Sequence, residues 1–422
     1  MTASGEGGRS RKLTWLVFLV FFLISILTNI MGPLIPEIIR GFRVSLAAAG
    51  LLPFVFFLAY GLVSIPAGIV MERTSVKTVV IGALVLEVAG ALLLPLRPTY
   101  ATALASFLVV GTGAAALQVV INPLLRIAGG EEHYAFNSAL AQFTFGTGSF
   151  LGPLLYSYLV LRVGQESGGS FWLDPLRALT PAGLPWIAIF WVMAPAGLVV
   201  LAVTAAVRLP RRIHGEEGAG AWANYRRLLG LPLVWLYFAT MFLYVGLEQG
   251  LANWISQFLF TYHRFDPRTT GALAVSWFWG SLTLGCLAGG ALLKLFDSRA
   301  VLIGTTLGAT AAFTAAIAGP ASVSLVAFPV SGLFLSVMWP IMISLGLNSL
   351  DHSHGVFAGI LCTAIVGGAA FPPVIGHLGD LLGLRAGMLV LYLSLGWVLS
   401  VGFWAKPLIR NATLRGREEA DA

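Results

Sequence analysis

Apolar residues run along this chain in long stretches, with charged residues gathered between them. Twelve such stretches lie at about 13–39, 46–71, 77–96, 100–127, 134–163 and 184–208, then 231–263, 269–296, 300–319, 321–349, 355–379 and 384–409. A helix crosses hydrocarbon in about 20 residues, so the pattern predicts an all-α membrane protein with twelve transmembrane helices. The longest inner connector is rich in Gly, Arg and Glu and separates two groups of six spans. The predicted organisation is a cytoplasmic N-tail (1–12), a six-helix bundle (13–208), a cytoplasmic linker (209–230), a second six-helix bundle (231–409) and a cytoplasmic C-tail (410–422). The halves echo one another. Asn122-Pro123 is followed 30 residues later by Gly152-Pro153, and Pro340 is followed 32 residues later by Pro372-Pro373. Two pseudo-symmetric repeats around a central site leave such a trace.

Composition sharpens this picture. Hydrophobic residues make up 58% and charged residues 10% of the 422, and the mean hydropathy is +0.88. Soluble domains carry about a quarter charged residues, so a water-soluble enzyme is excluded and the lipid bilayer is the main surroundings. The net charge of +7 comes from Lys and Arg scattered singly or in pairs, without the basic patch that nucleic acid requires. With the N-terminus cytoplasmic, 17 of the 25 basic residues lie on the inner side and both termini are cytoplasmic. This fits a plasma membrane, the inner membrane in a bacterium. Arg9, Arg11 and Lys12 precede the first span as in a signal peptide, but no A-x-A site closes it, so it reads as a retained helix. Cys286 and Cys362 read as buried small hydrophobes, and no metal or disulfide framework is indicated. Asp351-His352-Ser353-His354 reads as a solvated loop. The Walker A pattern is absent, and no catalytic Ser/His/Asp set or metal cluster is visible. No cofactor and no enzyme chemistry are expected.

The polar residues inside the spans carry the functional signal. Glu87 and Glu248 lie deep within apolar runs, where an ionised carboxylate is costly unless paired or wetted. Near Glu248, Gln249, Asn253 and Gln257 recur at every fourth position and align on one helical face, with Trp254 beside them. Such amides either join neighbouring helices or bind a polyhydroxylated ligand; three amides and an acid exceed what packing needs. Gln118, Asn122 and Arg126 repeat the spacing in span 4, Gln142 and Asn29 add amides from spans 5 and 1, and Trp339 is a further aromatic candidate with a packing alternative. Glu87 lacks amide neighbours, so packing and function stand level there. Gly68, Glu72, Arg73 and Lys77 form an inner connector suited to bridging helix ends, with Arg126 at the inner mouth.

These residues, in order along the chain, resemble the major facilitator superfamily and, within it, the fucose, galactose and glucose to proton symporter family, with which sodium-dependent glucose transporters are grouped. The resemblance is carried by Ala49-Gly50-Leu51, Tyr60 and Pro66-Ala67-Gly68-Ile69; by Asn122-Pro123, Leu140-Ala141-Gln142 and Gly148; by Tyr244-Val245-Gly246 with Trp254; and by Ser336, Pro340, Ser344-Leu345-Gly346, Gly367-Gly368 and Asp380. It implies the major facilitator fold and sugar transport by alternating access. There are departures. Where the fucose branch has an aspartate in span 1 and a glutamate in span 4, this chain has Gly32 and Gln118, and an expected amide is Phe145. Coupling then falls to Glu248, to Glu87, or to neither.

The sequence therefore predicts a monomeric secondary transporter of a monosaccharide or similar polyol, with a proton or sodium co-ion at Glu248 or Glu87. Asn29, Gln118, Asn122 and Gln142 would hold the sugar from one half, and Asn253, Trp254, Gln257 and Trp339 from the other. One alternative is an exporter of amphipathic drugs or lipids, to which Trp277, Phe278 and Trp279 would contribute. The other, of a different class, is a non-transporting receptor or scaffold, which would have little use for buried amides in both halves.

Overall fold

The computed structural model describes residues 11–129, 134–165, 170–210, 221–350 and 354–408. Regular structure among them is helical, with no strand. The first span is α1 (Arg11–Asn29) and α2 (Met31–Phe42). It is followed by α3 (Leu46–Arg73), α4 (Val76–Leu96), α5 (Tyr100–Gly129), α6 (Tyr134–Val163), a short α7 (Leu173–Leu179) and α8 (Ala188–Ala206). The second half contains α9 (Ala221–Leu229), α10 (Pro232–His263), α11 (Ala272–Leu295) and α12 (Ser298–Ala318), then the interrupted pairs α13 (Ala321–Leu335) with α14 (Met338–Leu347), α15 (His354–Thr363) with α16 (Gly367–Leu382), and α17 (Leu384–Met388) with α18 (Leu391–Trp404). Among the described residues, ten stretches are long and apolar enough to cross a membrane. α6 and α10, with 30 and 32 residues, also have the length, which is consistent with the twelve spans expected.

Prolines explain two of the interruptions. Pro33 has no N–H to offer the Asn29 carbonyl, and the first span pauses between α1 and α2. Pro340 likewise leaves the Ser336 carbonyl without a helical donor, where α13 gives way to α14.

The chain packs as two compact units, one of residues 1–30 and 58–215, the other of residues 31–57 and 216–422. They part from the expected halves at one place: residues 31–57, α2 and the start of α3, pack with the second unit. Each unit has its own apolar core. Leu84, Leu117, Tyr156 and Trp186 are fully buried in the first, and Trp254, Phe258, Phe278, Phe313 and Phe328 in the second. The two cysteines depart from expectation, for both are free and exposed.

Candidate functional site

In the second unit the polar groups gather around Glu248, which is half-buried on α10. The Tyr244 hydroxyl, one turn earlier, shares its hydrogen between Glu248 Oε2 at 2.9 Å and the Leu335 carbonyl at 3.0 Å. That carbonyl ends α13 and is therefore open to a side-chain donor. Gln249 Nε2 approaches Glu248 Oε1 at 3.4 Å. Trp339 is half-buried with its ring 6.1 Å from that of Tyr244. Cys286 on α11 lies within electrostatic reach of Glu248, and its thiol donates at 3.2 Å to the Ser336 carbonyl that Pro340 leaves open. Phenol, amide and thiol thus gather around one carboxylate, with an indole beside the phenol. Cys286 was the member of this group that sequence reasoning missed; the signal available was the proline four residues after Ser336.

The amide stripe of α10 is buried and largely spends its hydrogen bonds along its own helix. Asn253 Nδ2 donates to the Gln249 carbonyl at 2.8 Å, and Gln257 Nε2 donates to Thr261 Oγ1 at 3.0 Å. Trp254 is fully buried, and its indole N–H donates at 3.2 Å to the Pro372 carbonyl. Of the aromatic trio that favoured an amphipathic cargo, Phe278 and Trp279 lie in the core and meet edge to face at 5.2 Å, and Trp277 is exposed.

In the first unit, Asn29 is buried and donates from Nδ2 to Ser149 Oγ on α6 at 2.7 Å, while its Oδ1 has no partner among the described residues. Gln118 is half-buried and Gln142 exposed. Among the described residues no hydrogen bond joins these three amides to one another. Phe145 packs edge to face on Phe21 at 6.3 Å, an apolar contact where the family resemblance implied an amide. Glu87 is buried on α4, and neither of its carboxylate oxygens meets a hydrogen-bond partner among the described residues.

Gly32 has a structural explanation. A Cβ there would run into the Ala252 carbonyl oxygen of α10, so the close packing of α2 on α10 leaves no space for an aspartate. The negative charge of this helix lies on Glu37 instead. Glu37 is 4% exposed and receives Arg268 Nε at 2.8 Å and Nη2 at 3.0 Å, together with Arg40 Nη2 at 2.6 Å.

In the connector between α3 and α4, Lys77 Nζ donates to the Ala205 and Val207 carbonyls at 2.6 and 3.1 Å and so caps the end of α8. Gly68 is half-buried and Arg73 exposed. The side chains of Glu72, Asn122 and Arg126 lie outside the described residues, as do the tails, most of the linker and Asp351-His352-Ser353.

A multi-pass helical chain with paired bundle-forming segments, Pro-interrupted spans and acids at depth defines an integral membrane transporter. The chain belongs to the Major Facilitator Superfamily, whose family model matches residues 17–364. It is 28% identical over 400 residues to the glucose/galactose transporter of Brucella abortus biovar 1 (strain 9-941), covering 91% of this chain and 92% of that protein. It is 24% identical over 385 residues to the L-fucose-proton symporter of Escherichia coli (strain K12), covering 86% of each. A crystal structure of that E. coli symporter aligns with 93% of this chain and 98% of its own at a TM-score of 0.66 and 21% identity. An inward-facing, occupied bacterial homologue of the human lysosomal transporter Spinster aligns with 93% of this chain and 96% of its own at a TM-score of 0.78 and 16% identity.

Proposed function

We propose that this chain is a secondary active transporter that moves a monosaccharide or similar polyol across the plasma membrane by alternating access, coupled to a proton or sodium ion. Support for the cargo comes from the relatives named above, a glucose/galactose transporter and an L-fucose-proton symporter, which match along most of the chain. Support for coupling comes from one observation in particular: Glu248 is a carboxylate within a spanning helix, half-buried, and held by Tyr244 and Gln249. An acid in that position carries its charge through the membrane at high cost, and binding a cation removes that cost. A ligand that binds one conformation better than another shifts the population between them, which is how such an acid links ion to cargo. In this reading Gln118, half-buried in the first unit, offers an amide to the sugar. The protein acts as a monomer, with both termini in the cytoplasm and the two six-helix bundles 13–208 and 231–409 as its moving parts.

Uptake of labelled sugars into proteoliposomes under separately imposed proton and sodium gradients tests this directly. Glucose, galactose or fucose accumulates under one gradient and not without it. In Glu248→Gln, accumulation is lost while counterflow exchange persists; unchanged accumulation would remove Glu248 from coupling.

A further inference from the structure

The connector from α6 to α8 carries apolar surface for which transport itself has no use. Phe171, in the turn that leads into α7, is 97% exposed, and Trp172 beside it is exposed as well. α7 has seven residues and is too short to span. The exposure does not come from a connector that hangs free. Arg177 Nη2 donates to the Arg162 carbonyl in the last turn of α6 at 2.9 Å, while Nη1 meets Asp174 Oδ1 at 2.6 Å. Trp191 Nε1 of α8 donates to the Leu179 carbonyl at 3.2 Å, and Leu173 and Thr180 are buried. α7 is fastened to both of the helices it joins, and two aromatic rings at its start are nevertheless left uncovered.

The height of these rings along α6 says what covers them. Trp172 stacks on Tyr158, with the rings 5.8 Å apart and 10° from parallel. Tyr158 lies five residues before the end of α6, about 8 Å down the helix axis, so the connector folds back along α6 instead of leading away from it. Tyr158 is itself exposed, and so are Leu151 and Leu161, whose spacing puts all three on one face of the helix. Exposed leucines on a spanning helix form a face that hydrocarbon covers. Phe171 and Trp172 continue that face at its end. There the guanidinium of Arg162, also exposed, lies over the Tyr158 ring at 5.8 Å. An apolar stripe that ends in a phenol, an indole and an arginine has the order of a bilayer edge, from acyl chain to headgroup. Tyr and Trp settle at that level because each has an apolar body and a polar tip, and a long basic side chain extends from it toward the phosphates.

We propose that the start of the α6–α8 connector is a phospholipid-docking surface, in which Phe171 enters the acyl boundary and Trp172 and Tyr158 occupy the interfacial layer, with Arg162 at headgroup level. The connector then lies along the membrane surface and not in water. Arg177 and Trp191 tie α7 to the end of α6 and to α8, so the bilayer holds those two helices at a fixed depth through it. The inference rests on the chain spanning a membrane and is independent of the cargo and of Glu248.

A nitroxide reads the depth of the connector in the full chain, reconstituted in nanodiscs of phosphatidylcholine and phosphatidylglycerol. The label is attached through Phe171→Cys in a background of Cys286→Ser and Cys362→Ser. Its collisions with dissolved oxygen, which concentrates in the membrane, are compared with those with a water-soluble nickel chelate. Oxygen collisions are expected to dominate. Dominant nickel collisions place position 171 in water and overturn the proposal; few collisions with either reagent place it against protein, a second copy included, and overturn it equally. Trp172 gives a readout that leaves the cysteines in place and decides alone if the labelled chain does not fold. The emission that Trp172→Phe removes is expected to be lost in phospholipids brominated near the top of their acyl chains and to survive acrylamide. Loss to acrylamide with no loss to the brominated lipids overturns the proposal.

Discussion

At the scale of single residues, the side chains that matter are those whose polar atoms are carried into an apolar medium. Each solves its desolvation differently. Asn253 turns its amide onto the carbonyl one turn back, Asn29 crosses to Ser149 on α6, and Trp254 finds a carbonyl on α16. Gln118 has no such bond among the described residues and is half-buried, so it retains hydrogen-bonding capacity for a ligand. Gln118→Ala is expected to weaken sugar binding by about 1–3 kcal/mol, the cost of leaving a buried ligand group unmet, as read by calorimetric titration of the purified protein. Wild-type affinity would move the pocket away from α5. Gly32 illustrates the opposite constraint. Its hydrogen is required by the Ala252 backbone, so Gly32→Asp is expected to lower the melting temperature without restoring any sugar contact.

Among elements, α2 and the start of α3 are tied to the second unit by two acids acting in different ways. Glu37 is a buried carboxylate shared by Arg268 and Arg40; the bidentate geometry of Arg268 adds direction to charge. Asp380 on α16 accepts the Leu46 and Ala47 amides at 2.9 and 2.8 Å, a helix N-terminal cap delivered from 334 positions away. Glu37→Gln is expected to destabilise the protein by about 1.5–3 kcal/mol, the range for hydrogen bonds to charged groups, and to make its thermal melting in detergent less salt-sensitive than that of the wild type. Melting identical to wild type at low and high salt would show that the pair contributes nothing. The apolar pattern places Glu37 near the end of a span and Arg268 at the start of another, but their pairing over 231 positions has no local signature. A charge in a connector carries no mark of its partner until helices pack.

For the whole molecule, membership of the Major Facilitator Superfamily and the run of apolar helices make a multi-pass membrane protein. The distribution of Lys and Arg further predicts that both ends face the cytoplasm. Reporter domains fused to either terminus are expected to be protected from a membrane-impermeant reagent added to intact cells, and labelling of one end alone would break the even count of spans.

The sequence by itself determined the helical spans, their approximate limits and the family, because hydrocarbon imposes a length and an apolarity that each span meets on its own. It also marked Glu87 and Glu248 as residues needing an explanation, since an acid in such a run is conspicuous without knowledge of its neighbours. Only the tertiary structure decided how those acids differ. Tyr244 is four residues from Glu248 and could be read from helical spacing, whereas Cys286 and Leu335 come to it from other helices. Tyr60 reaches the neighbourhood of Glu87 from α3, whereas the two oxygens of Glu87 meet no hydrogen-bond partner among the described residues. Burial, pairing and hydrogen-bond direction are relations between segments distant in the chain, and they exist only once those segments are packed.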